Sequence, residues 1–167
     1  MEKMSKGTCK ILIHNYPTLY PENFKCNIGR GWFGLVNNLS YEISKIVSYS
    51  NGNLIVAVDE IKETKGELRF YCTISEKLTL LRHINFKFMS LCAKLDIMVL
   101  YNTIQTIRQR FYKTSMEQVS ELIYRYCKKS TSICEICGDP GECKLFNMKK
   151  KTLCKKCREE EESNAHR

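Results

Sequence analysis

An α+β fold, with a small antiparallel sheet packed by helices and a C-terminal four-cysteine ribbon, is predicted by three features of the sequence. Two Cys-x-x-Cys hooks, Cys134/Cys137 and Cys154/Cys157, stand with sixteen residues between the inner cysteines. Trp32, Leu35, Val36, Leu39, Ile43, Ile46 and Val47 repeat at the i, i+3, i+4, i+7 spacing of a buried helical face. Leu68, Phe70, Cys72 and Ile74 alternate with Arg69, Tyr71 and Thr73, as in a half-buried strand.

The elements follow in order. Residues 1–31 hold no sustained period; Lys10-Ile11-Leu12-Ile13-His14 reads as a short strand, and Pro17 and Pro21 bracket a loop. The helix starting at Trp32 ends at Asn51-Gly52-Asn53, residues that tolerate positive φ. Leu54-Ile55-Val56-Ala57-Val58 is an apolar run of strand length, and Glu63-Thr64-Lys65-Gly66 is a turn, so residues 54–74 read as an antiparallel pair under that helix. In residues 78–112, Leu81, Ile84, Phe88, Leu91, Cys92 and Leu95 favour one helix and Ile104, Ile107 and Phe111 another, while Ile97 to Tyr101 also suits a strand. Thr114 with Glu117, or Ser115 with Gln118, forms a capping box for a helix whose face is Val119, Leu122, Ile123 and Tyr126. That helix runs almost directly into the first hook, which predicts a ribbon docked on the domain. The expected organisation is an α+β domain over 1–130 (helix plus hairpin over 31–74, mainly helical over 78–130), a zinc ribbon over 131–158 and a disordered acidic tail over 159–167.

Two such hooks can bring four thiolates to the corners of a tetrahedron around one Zn²⁺. Gly138-Asp139-Pro140-Gly141 supplies the turn that aims backbone N–H groups at the sulfurs. Cys134, Cys137, Cys154 and Cys157 are therefore the candidate ligands of one structural Zn²⁺, because four thiolates leave no open position for water or substrate. Cys143, inside the loop, reads as a spare thiol. The competing reading is ordinary buried cysteines or disulfides. Ten cysteines suit a disulfide scaffold only in a much shorter secreted chain, and the first seven residues lack the apolar stretch of a signal peptide. No run reaches the roughly 18 apolar residues of a membrane span. A reducing, cytoplasmic compartment is expected, with Cys9, Cys26, Cys72, Cys92 and Cys127 as buried residues or free thiols.

The formal charge of +9 stays basic after allowance for a zinc–thiolate cluster. Lys144, Lys149, Lys150, Lys151, Lys155, Lys156 and Arg158 lie on or beside the ribbon, a footprint for phosphates or for an acidic protein surface. A merely solvated face, or lysines that offset the thiolates, stands beside that reading. Catalytic patterns fail on inspection. Gly29-Arg30-Gly31-Trp32-Phe33-Gly34 matches G-x-G-x-x-G, yet it lacks a clear preceding strand and an acidic residue roughly 20 positions on. Trp32 also puts bulk where backbone should approach phosphate, so a glycine turn folding Trp32 and Phe33 onto the core is preferred. His14, His83 and His166 are scattered, and Asp59, Glu60, Glu63 and Glu67 suit a solvated hairpin. A non-enzymatic protein is expected.

The order Gly31-Trp32-Phe33, Ile61-Lys62-Glu63-Thr64-Lys65-Gly66-Glu67-Leu68-Arg69-Phe70-Tyr71, Cys134-Glu135-Ile136-Cys137-Gly138 and Leu153-Cys154-Lys155-Lys156-Cys157 resembles a family of small proteins encoded by phages and other DNA viruses. That family pairs a K-E-K-F-G-x-L-R-F-Y segment with a C-terminal Cys-x-x-Cys-Gly and Leu-Cys-x-x-Cys ribbon. The chain departs at Thr64-Lys65, in place of Lys-Phe, and carries a longer segment over 78–113. The resemblance implies a viral or mobile-element origin and a small α+β domain with zinc, and it supplies no catalytic residues. Two functional classes follow. In the first, the ribbon's Lys149, Lys150, Lys151, Lys155, Lys156 and Arg158 meet nucleic acid, with Arg69, Tyr71, Arg108, Arg110 and Tyr112 as stacking or clamp residues. In the second, the chain is a viral adaptor or inhibitor, and the lysines meet an acidic surface of a host protein such as a defence factor.

Overall fold

A computed structural model describes residues 6–76, 114–146 and 148–165. The helices expected within 78–112 lie outside the described residues, as do Arg108, Arg110 and Tyr112. The described chain is α+β, with a three-stranded sheet, a separate two-stranded hairpin and four helices. Helix α1 (Lys6–Asn15) corrects the short strand expected at residues 10–14. Leu12 is fully buried, and Cys9, Ile13 and Tyr16 pack on the same core at helical spacing while Ile11 points outward. The following loop carries Leu19 and Tyr20 into the core, and Tyr20 Oη bonds Ser40 Oγ at 2.5 Å.

Strand β1 (Lys25–Asn27) pairs in parallel with β2 (Leu54–Thr64), and β2 pairs antiparallel with β3 (Glu67–Glu76). The sheet is therefore mixed, in the order β1-β2-β3, with the expected hairpin as its larger part. Before β1 begins, the edge of β2 is covered by the loop, where Leu19 O accepts from Val58 N at 2.8 Å. Lys65 and Gly66 form a two-residue connection with φ of 55° and 73°, the double left-handed conformation that matches hairpin twist. Glu63 Oε1 secures it by accepting from Gly66 N at 2.6 Å.

A single 3₁₀ turn (Arg30–Trp32) leads into α2 (Phe33–Tyr49), whose buried face of Leu35, Val36, Leu39 and Ile43 follows the expected period. The capping box resolves to Thr114 and Glu117: Glu117 N donates to Thr114 Oγ1 at 3.2 Å and Thr114 N to Glu117 Oε2 at 3.0 Å. It starts α3 (Ser115–Ser130), which lies against both α2 and β3. Trp32, Val36, Leu39, Val56, Ile61, Leu68, Val119 and Leu122 share one core. At the end of α3, Ser130 Oγ accepts from Leu68 N at 2.9 Å and fixes the helix to the hairpin.

Candidate metal centre

The ribbon grows directly from α3. Three residues, Thr131 to Ile133, separate the helix from Cys134, and β4 (Glu142–Phe146) and β5 (Lys149–Leu153) form the hairpin between the hooks. Cys154 follows β5, and Cys157 lies in the first turn of α4 (Lys155–Ala165). Backbone bonds shape the first hook: Gly138 N donates to Cys134 O at 3.0 Å, and Cys134 N to Asp139 O at 2.7 Å. In the second, Cys157 N donates to Cys154 Sγ at 3.4 Å.

The four sulfurs all lie within 4.8 Å of one another. Cys137 Sγ and Cys154 Sγ are 3.6 Å apart, against about 3.8 Å for the edge of a tetrahedron with 2.3 Å metal–sulfur bonds. The thiol set thus fits a tetrahedral metal ion. Burial pushes the Cys134 thiol up, but the N–H groups of Cys137, Cys154 and Ile136 outweigh it and bring the thiol down to about 7. Burial, with thiol hydrogen bonds from Cys134 and Cys154, pushes Cys137 up to about 11, and Cys157 shifts upward by burial and by its sulfur neighbours. The Cys134 thiolate forms readily, while burial first of all opposes ionisation of Cys137 and Cys157, a cost that a bound cation offsets. Cys143 is not part of the cluster; its Sγ lies 3.7 Å from Lys65 O.

The seat of the first hook explains Gly29 and Gly31. Gly31 N donates to Glu135 O at 3.0 Å. A Cβ on Gly31 would stand 2.3 Å from Cys134 O and 2.5 Å from Gly138 N, and one on Gly29 would stand 2.0 Å from Glu135 O. Only glycine allows backbone to approach backbone this closely. The motif is a glycine turn that puts Trp32 into the core, as expected, but its partner is the first cysteine hook. Trp32 is fully buried, and its Nε1 donates to Ile133 O at 2.7 Å. On the other side Thr152 Oγ1 donates to Gly66 O at 2.6 Å. The ribbon is docked on the domain through both contacts.

Sequence reasoning missed Glu135. Its side chain is fully buried and neither carboxylate oxygen has a hydrogen-bond partner. Burial, with Glu63 nearby and Lys151 only partly offsetting, pushes its carboxyl up to about 7. A glutamate between two cysteines reads locally as a solvated loop residue; only the docking of the hook on Gly29 and Gly31 buries it.

The predicted basic residues separate into two groups. Lys144, Lys149, Lys150, Lys155 and Lys156 are exposed, Lys144 on β4 in a pair with Glu142 and the others at the hairpin tip and at the start of α4. Lys151, expected at the exposed tip, is instead half-buried: its Nζ pairs with Glu161 at 2.9 Å and lies 5.4 Å from the Phe146 ring centre. The cross-strand register accounts for this, since Lys151 shares a strand face with buried Leu153, beneath α4. Arg158 is also half-buried, with Nη2 3.5 Å from Leu153 O. The acidic segment expected as a frayed tail continues α4 to Ala165, because Cys157 anchors the first turn and Glu161 meets Lys151. Among the described residues, no helix is long and apolar enough to cross a membrane. In comparisons with known proteins, no family model, curated protein or solved structure matches this chain.

Proposed function

We propose that this chain is a zinc-stabilised, non-enzymatic protein of viral or mobile-element origin that associates with nucleic acid through the lysines of its ribbon. The observation that carries the reading is a four-cysteine cluster at the base of a ribbon that exposes Lys155 and Lys156 between its second pair of cysteines and Lys149 and Lys150 at its tip. Four thiolates in tetrahedral array suit zinc, and they complete its coordination, so the metal holds the ribbon in shape and performs no chemistry. The function then belongs to the surface that the metal organises. Lys149, Lys150, Lys155 and Lys156 keep their ammonium groups in solvent, available to phosphates; Lys151 and Arg158 hold the ribbon together instead.

The test is titration of labelled duplex and single-stranded DNA and RNA at several salt concentrations, on protein shown by metal analysis to carry one zinc. Affinity should fall with salt by a log–log slope of about 0.7 to 0.9 per phosphate contacted. Replacing Lys149, Lys150, Lys155 and Lys156 with alanine should flatten it by about 3 units while zinc is retained. Absence of binding at low salt overturns the reading.

A second reading, an adaptor or inhibitor on an acidic host-protein surface, is favoured by one observation. Leu145 and Met148 at the hairpin tip are 70% and 92% exposed beside the lysines, apolar area that a protein partner can bury. Co-purification with and without nuclease separates the two, since a bridge of nucleic acid is lost on digestion and a protein partner is not.

A further inference from the structure

We propose that the outward face of the β2–β3 hairpin, with the adjoining side of α3, is a stacking platform for single-stranded nucleic acid. The proposal rests on the nucleic-acid reading above and specifies which form of nucleic acid is bound, and where. Alternation along the hairpin buries Val58, Ile61, Leu68 and Phe70 and turns Lys62, Arg69 and Tyr71 outward. Lys62 and Arg69 are direct cross-strand partners, and Lys62 Nζ sits 4.9 Å from the centre of the Tyr71 ring. On α3, Lys128 Nζ lies 5.8 Å from the Tyr124 ring centre.

Glu67 joins the two halves. Its Oε2 accepts from Arg69 Nη2 at 3.0 Å and its Oε1 pairs with Lys128 Nζ at 3.1 Å. The Glu67 side chain is only 13% exposed, whereas Arg69 and Lys128 are 48% and 56% exposed. The carboxylate is thus drawn beneath the two cations, which keep N–H groups in solvent. Tyr71 and Tyr124, 46% and 62% exposed, flank this cationic centre.

Exposed rings interleaved with cations match the alternation of base and phosphate along one strand. A base stacks on an aromatic face and its phosphate meets the neighbouring cation. A duplex cannot use the rings, because its bases are already stacked on one another. Charge alone does not carry the site, since Lys62 is also paired with Glu60 at 2.6 Å. The rings must therefore supply the preference for single strands, while the ribbon lysines supply the salt-dependent attraction. The two surfaces adjoin: Thr152 of β5 bonds Gly66 at the hairpin turn, and Lys150 shares a strand face with Thr152.

The experiment measures binding of the full-length, zinc-loaded protein to a labelled oligodeoxythymidine of about 20 nucleotides, long enough to cross both surfaces, and to a duplex of equal length. Parent, Tyr71→Ala/Tyr124→Ala and Tyr71→Phe/Tyr124→Phe proteins are compared after their melting temperature and zinc content are checked. The double alanine variant should lose at least about tenfold in single-strand affinity with its duplex affinity and salt slope unchanged, and the double phenylalanine variant should bind as the parent does. Unchanged single-strand affinity in a folded double alanine variant overturns the platform and leaves the ribbon reading standing. Equal loss on single strand and duplex also overturns it, because stacking cannot produce that result. If no oligonucleotide binds at low salt, both readings fall.

Discussion

Trp32 joins the core to the ribbon, and its removal should disturb both. The side chain is fully buried, and truncating a buried tryptophan to alanine costs about 3 to 5 kcal/mol through lost transfer free energy and the cavity left behind. The indole also donates to Ile133 O at 2.7 Å. That carbonyl is partly buried, so the loss of its donor adds about 1 to 2 kcal/mol. Together these approach the whole stability of a small domain, about 5 to 15 kcal/mol, so Trp32→Ala is expected to fold poorly. Trp32→Phe is the informative variant, since it keeps an aromatic ring in the core and removes the N–H. Its cost should be about 2 to 3 kcal/mol, read as a lower urea midpoint with an unchanged slope. Ile133 immediately precedes Cys134, so the first hook should loosen as well. Metal bound at the cluster should pass to a chromophoric chelator faster in Trp32→Phe than in the parent. A parent-like urea midpoint together with parent-like metal release would refute the coupling. Loss of partner binding at unchanged stability would instead make Trp32 a binding residue.

Three further outcomes follow from the same contacts. Gly31→Ala places a methyl group 2.3 Å from Cys134 O and should cost about 1 to 3 kcal/mol or more, with weaker metal retention; a parent-like melting curve and chelator half-life would contradict the proposed seat. Cys143→Ser should retain one metal ion per chain by elemental analysis, whereas Cys154→Ser should lose it, since only the latter removes a member of the cluster. Glu135→Gln should stabilise the protein at pH 8 and not at pH 4. The buried carboxyl titrates near 7 instead of 4.5, so the folded state holds its proton more tightly and stability falls as pH rises between those values, by at most about 3 kcal/mol. Thermal melts of parent and variant across that range should converge at low pH, and a pH-independent difference would exclude this cause.

What the sequence revealed depended on how local each determinant was. The hooks, the α2 face, the Lys65-Gly66 turn and the Thr114/Glu117 cap are each fixed by residues a few positions apart, and all four appear in the structure. Helix α1 was obscured because Ile11-Leu12-Ile13 is an apolar run, β-branched at both ends and too short to display a period. Strand β1 has three residues and exists through its parallel pairing with β2, about which its own composition carries no signal. Lys151 reads as part of a basic tip until α4 brings Glu161 against it.

The Gly29-Arg30-Gly31 segment shows the same division within one motif. Its glycines serve close approach to another backbone, which is also what such glycines do beneath a pyrophosphate. The local sequence establishes the need for close approach; it does not name the partner, which here is a cysteine hook about a hundred residues away. Consequently the ribbon and the core share a boundary that neither can relax alone. Ile133 O is held by the core tryptophan, Glu135 O by Gly31, and Gly66 O by Thr152 of the ribbon. Metal bound by the four cysteines should therefore stabilise the core as well as the hairpin. Stripping it should lower the transition monitored by Trp32 fluorescence, in a single step if the two regions unfold together. Two separate transitions, with the tryptophan signal indifferent to the metal, would mean that the contacts across Gly29 and Gly31 carry little energy.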